Sequence, residues 1–107
     1  MTINAASREL SNSPVRQSVR EVRARRIRLP AYSVAPTSPV VRCYNDATGA
    51  DISGSVLSGL ATVTQGEFVT NVLDPANTDI GAVYRIEIQF VVSSETIIRY
   101  FRVILEA

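Results

Sequence analysis

Tyr84-Arg85-Ile86-Glu87-Ile88-Gln89-Phe90-Val91-Val92 alternates apolar and polar side chains and closes on an apolar pair. Successive side chains of a β-strand point to opposite faces. Tyr84, Ile86, Ile88, Phe90 and Val92 are therefore predicted to face a core, with Arg85, Glu87 and Gln89 on the wet side. Ser93-Ser94-Glu95 then reverses the chain into a strand from Thr96 to Leu105, with Phe101, Val103 and Leu105 inward and Tyr100, Arg102 and Ile104 outward. A slip of one residue would exchange the two sets.

The chain before this hairpin continues the pattern in shorter pieces. Val40 to Tyr44 reads as a strand ended by the turn Asn45-Asp46-Ala47-Thr48-Gly49, and Ile52 to Leu57 as another ended by Ser58-Gly59. Ala61 to Thr64 turns at Gln65-Gly66 into a strand from Glu67 to Leu73, and Asp74-Pro75-Ala76-Asn77 is a proline-bearing turn. Six or seven short strands at this spacing predict an all-β fold, a small β-sandwich over residues 40–107. Pro30, Pro36 and Pro39 mark residues 31–39 as a linker, because proline stiffens the chain and interrupts a β-ladder.

Residues 1–30 differ in kind. Through Arg28 they carry seven arginines (Arg8, Arg16, Arg20, Arg23, Arg25, Arg26, Arg28) against Glu9 and Glu21, a balance of +5, while the remainder carries four against eight acids, or −4. The total of +1 hides this division between a basic arm and an acidic body. The arm is predicted to be extended or partly helical. Ser13-Pro14 suits a helix start and Ser18 to Glu21 has capping-box spacing, but Val15, Val19 and Val22 make only a thin stripe, and Arg26-Ile27-Arg28-Leu29 alternates like a strand.

Composition narrows the chemistry. With no His and no Lys in the chain, the usual general bases and the Ser-His constellation are missing, and the carboxylates fall singly in turns or on strand faces, so no catalytic residue and no enzyme activity are expected. One cysteine, Cys43, permits neither an internal disulfide nor a multi-cysteine zinc site, and it reads as a buried, inert thiol. Asp74, Asn77 and Asp79 share a loop but lack an EF-hand pattern, so no metal and no cofactor is expected. No apolar run approaches a membrane span, and Met1 to Pro14 holds no apolar signal core, which together predict a soluble protein made in a cytoplasm, without a membrane partner. A body of about 75 residues is marginal by itself, since small domains bury only about 60% of their unfolded surface, so association is expected to add stability.

The segment Asp79-Ile80-Gly81-Ala82-Val83-Tyr84-Arg85-Ile86-Glu87-Ile88 resembles the end of an immunoglobulin-like domain with a tyrosine-corner strand, departing from it in that Gly81 and Tyr84 are three residues apart and Cys43 lacks a partner. Together with Ser53-Gly54-Ser55-Val56-Leu57-Ser58-Gly59 and Ile98-Arg99-Tyr100-Phe101-Arg102-Val103-Ile104-Leu105, it is similar to the small immunoglobulin-like virion proteins of tailed bacteriophages. The resemblance covers about half the chain through general pattern. It implies a structural role: a capsid decoration, or cement, protein on the outer surface of the virion, bound to the major capsid protein and often a homotrimer. A head-to-tail connector or tail component is the alternative within the same group.

The residues that would carry such binding are Arg16, Arg20, Arg23, Arg25, Arg26 and Arg28 in the arm, whose forks suit carboxylates, with Tyr100 and Arg102 on the outward face of the last strand. An arginine-armed nucleic-acid-binding protein is the rival from another class, because the same cluster would neutralise phosphates with a steep salt dependence. Against it, residues 1–31 contain no aromatic side chain to stack on bases.

Overall fold

The computed structural model describes residues 8–107. In chain order the elements are β1 (Val15–Ser18), β2 (Arg26–Arg28), β3 (Thr37–Asn45), α1 (Ser53–Val56), β4 (Leu57–Ser58), β5 (Thr62–Thr64), β6 (Glu67–Val69), β7 (Val72–Leu73), a 3-10 turn (Asn77–Asp79), β8 (Val83–Val92) and β9 (Glu95–Glu106). The chain is all-β, as its pattern predicts. Three sheets form: β1-β9-β8-β3, β2-β6-β5, and the pair β4-β7.

The β8–β9 hairpin is the spine. Its register runs from Val83 opposite Ile104 to Val92 opposite Glu95, and Tyr84, Ile86, Ile88, Phe90, Val92, Phe101, Val103 and Leu105 are all buried in the predicted sense. Ser93 and Ser94 close it with φ of 48° and 68°. Two successive positive φ values make a type I′ turn, whose twist matches that of the flanking strands. Phe90 meets Phe68 of β6 at a centroid distance of 6.0 Å, which joins the three-stranded sheet to the hairpin through the core.

Residues 8–29 depart from the expected division into arm and body. They contain no helix. β1 lies parallel to β9, with Val15 opposite Val103 and Ser18 opposite Glu106, and β2 pairs antiparallel with β6. Leu10, Val19, Ile27 and Leu29 belong to the same buried cluster as the hairpin. The reason is the alternation Arg26-Ile27-Arg28-Leu29: pairing sends Ile27 and Leu29 inward and leaves both arginines exposed. Burying an isoleucine fully stabilises by about 1.5–3 kcal/mol, and with Leu10, Val19 and Leu29 buried as well this offsets part of the cost of ordering the segment. The radius of gyration of 13.5 Å is close to the ~13 Å of a compact chain of about 100 residues, so no long projection leaves the described fold. Residues 1–7, also assigned to the arm, lie outside the described residues.

Gln17 is buried beside these side chains, 1% exposed, and its amide is fully used. It donates to the carbonyls of Glu21 (2.9 Å) and Leu73 (3.3 Å) and accepts from Arg25 Nη2 at 3.3 Å. A buried amide so satisfied ties β1 to β7 without a desolvation penalty left over.

Three further expectations are corrected. Ile52 to Leu57 is not one strand: Asp51 Oδ1 accepts from the Ser53 backbone N–H at 2.9 Å and from its hydroxyl at 2.6 Å, and this local bonding bends the chain into the single turn α1 before β4. Glu67 to Leu73 is likewise two strands. The Thr70 hydroxyl accepts from Arg25 N–H at 2.9 Å, and after it β7 leaves β6 to pair with β4. The proline-marked linker ends early, since β3 begins at Thr37. A register shift between Thr37 and Val40, with Ser38 at φ 57°, accommodates Pro39 on what is an edge strand.

Candidate partner-binding surfaces

The face of the four-stranded sheet turned away from the core is built by strand alternation. Three cross-strand rows follow from the register: Tyr44, Arg85 and Arg102; Arg42, Glu87 and Tyr100; Val40, Gln89 and Ile98. All nine are half-buried, as side chains lying against one another on a flat sheet are. Arg16, from β1, stands opposite Ile104 at the near edge.

Within this face Arg85 and Arg102 sit directly opposite one another, a like-charge pair that by itself destabilises a sheet. The structure handles the two cations differently. Arg102 is held by Glu9, with Nε 2.9 Å and Nη2 3.3 Å from the carboxylate, and Ser13 completes the cluster by donating to Glu9 at 2.7 Å and accepting the Arg102 backbone N–H at 3.0 Å. The Ser13 bond first, then Arg102, holds the Glu9 carboxyl below the usual carboxylate range. Arg85 has no carboxylate within ion-pair reach among the described residues. Its guanidinium lies 5.0 Å over the Tyr44 ring, and its Nε is buried with no hydrogen-bond partner. Arg42 donates to Gln89 at 3.1 Å and approaches Glu87 only to 3.8 Å.

Three of the sequence-predicted residues, Arg16, Tyr100 and Arg102, are brought to this face. Arg16 makes an exposed pair with Glu106 at 3.4 Å, of the kind worth roughly 0–1 kcal/mol. The other five are elsewhere. Arg20 and Arg23 lie in the exposed connection after β1, Arg26 and Arg28 flank Ile27 on β2, and Arg25 is half-buried between them. Arg26 reaches Glu67 at 3.1 Å and Arg23 reaches Glu21 at 3.8 Å. The charge division of the sequence is thus partly answered inside the fold: Arg16 and Arg26 meet carboxylates of the acidic half, and Glu9 meets an arginine of that half.

Arg42, Tyr44 and Arg85 were missed as candidates. The signal was present in the alternation of 40–44 and 84–92, but only the pairing of those two strands puts the three side chains together. Cys43, between Arg42 and Tyr44, is buried on the opposite face, and desolvation pushes its thiol up to about 12. Among the described residues no three His, Cys, Asp or Glu side chains gather as a metal site would need.

No family model matches this chain, and neither the curated proteins nor the solved structures contain a match to it.

Proposed function

We propose that this chain is a structural, non-catalytic virion protein of the immunoglobulin-like decoration type, which binds the outer surface of a capsid shell through the exposed face of its four-stranded sheet. The observation that carries the reading is Arg85, stacked on Tyr44 and without a carboxylate partner among the described residues, on a central strand of a face rich in arginine and tyrosine. Arg and Tyr are the residue types over-represented at protein interfaces and at their energetic centres, where Lys is depleted. The partner patch that fits is acidic. A carboxylate delivered to Arg85 would complete its hydrogen bonds and relieve its repulsion with Arg102. A homotrimer is the form in which such a protein would dock, because linked weak contacts gain from a raised effective concentration.

The resemblance of residues 51–106 to small phage virion proteins supports this reading, as does the Tyr84 hydroxyl, which reaches back to the Asp79 carboxylate at the corner preceding β8. The test is cross-linking mass spectrometry on the source particle with carboxylate-directed or photoreactive reagents, since a chain without Lys escapes amine chemistry. Abundant links from Tyr44, Glu87 and Tyr100 to the major shell protein are expected. Links confined to a low-copy portal or tail protein would replace the decoration role with a connector role.

A further inference from the structure

Arg25 is a poorly compensated cation. It is half-buried, and among the described residues its only side-chain bond is to a neutral group, the Gln17 amide, while its Nε is fully buried and finds no partner there. No carboxylate lies within ion-pair distance of it among the described residues. Burial first, and the neighbouring Arg23 charge second, push its guanidinium below the ordinary range, with only partial relief from Glu21. Folded proteins pair or neutralise such charges, because an uncompensated cation out of water is costly.

Arg25 also lines an open groove of about 400 Å³, with Arg23, Arg26, Asn12, Val15 and Ala24 as its other walls. Three arginine residues therefore border one concavity. The carboxylates that partner two of them, Glu21 for Arg23 at 3.8 Å and Glu67 for Arg26 at 3.1 Å, are not part of its lining. The Glu21 contact is long and Arg26 is 75% exposed, so both arginines can turn toward a guest without unfolding anything.

We propose that this groove is an anion site that takes a phosphate group, free or as the monoester of a small molecule, between Arg23, Arg25 and Arg26. A tetrahedral oxyanion offers several acceptors at once to guanidinium forks arriving from different sides, and its double negative charge matches a site where cations repel one another. Asn12 adds a neutral polar side chain, and Val15 and Ala24 supply the small apolar wall that a monoester's carbon skeleton would touch. The site is separate from the sheet face around Arg85 and stands whether or not the chain decorates a shell.

The experiment is a thermal-melt and NMR titration of the full chain with inorganic phosphate, glycerol phosphate and, at matched ionic strength, chloride. Phosphate at about ten times its dissociation constant is expected to raise Tm by about 5 °C, to move the Arg25 Nε–H resonance, and to lose both effects in Arg23→Ala and Arg26→Ala, two exposed positions that leave the fold intact. A stronger effect of glycerol phosphate would identify the monoester as the guest; an equal effect would identify phosphate itself. A Tm rise no larger than chloride gives, or one unchanged in both variants, would overturn the proposal and leave Arg25 Nε to a water in the adjoining cavity of about 10 Å³. Short single-stranded DNA that binds far more tightly than phosphate, indifferent to the two variants, would also overturn it.

Discussion

Tyr84 is fully buried, and its hydroxyl donates to the Asp79 carboxylate, five residues earlier in the chain. Burial first, and the bond to Asp79 second, push its pKa up. An acid whose folded-state pKa is raised stabilises the fold fully below its unfolded value, and that stability is lost as pH climbs past about 10, where free tyrosine ionises. Cys43 acts in the same direction from about pH 8.5 upward. Denaturant melts between pH 7 and 11 should therefore show stability falling on the alkaline side, and Tyr84→Phe should flatten the part above about pH 10. At pH 7 the same variant should cost about 1–2 kcal/mol, because it leaves the Asp79 carboxylate without its donor. An unchanged midpoint would mean that the hydroxyl bond adds nothing net. At the sheet face, Arg85→Ala should leave the melting curve nearly unchanged while weakening binding to purified shells at least tenfold, the scale of a truncated interface centre, as read by co-sedimentation.

Elements differ in how far local rules determine them. The β8–β9 hairpin was readable in detail, because strict alternation on both strands leaves a single register that hides every apolar side chain. Its turn is the weak point: two serines occupy the left-handed region, where a side chain costs about 1–2 kcal/mol. Replacing Ser93-Ser94 by Asn-Gly, the preferred type I′ pair, should stabilise the protein by about 1 kcal/mol in thermal melts. The first strand could not be read the same way. Arg and Ser around Val15, Gln17 and Val19 make a weak apolar signal, and the burial of Gln17 depends on carbonyls of Glu21 and Leu73 that no local pattern announces. The partner set divides likewise. Arg16, Tyr100 and Arg102 were identifiable by charge and alternation, whereas Arg85 and Tyr44 matter only through cross-strand pairing. Glu9, which fastens the segment before β1 to Arg102, has a depressed pKa, so its contribution is present above about pH 4.3 and lost as pH falls. Glu9→Gln should remove that acid dependence and speed hydrogen exchange at the Leu10 amide, which bonds the Tyr100 carbonyl at 2.8 Å; equal exchange in both proteins would show the contact to be ornamental.

For the molecule as a whole, residues 8–29 are structural material and not an appendage. Removing residues 1–24 should not yield a folded body with the arm trimmed away. It should yield a chain with exposed β9 and an open core, without the dispersed amide spectrum of a native protein. The parallel pairing of β1 with β9 also sets the order of events when the protein is made. Glu9 and Arg102 are 93 positions apart and still touch. Contacts of such high contact order close late, after a large loop-closure entropy has been overcome, and they slow folding relative to local hairpins. On a ribosome, β1 must wait unpaired until β9 has cleared the exit tunnel, so assembly with any partner that needs the four-stranded sheet face cannot begin before β9 has emerged.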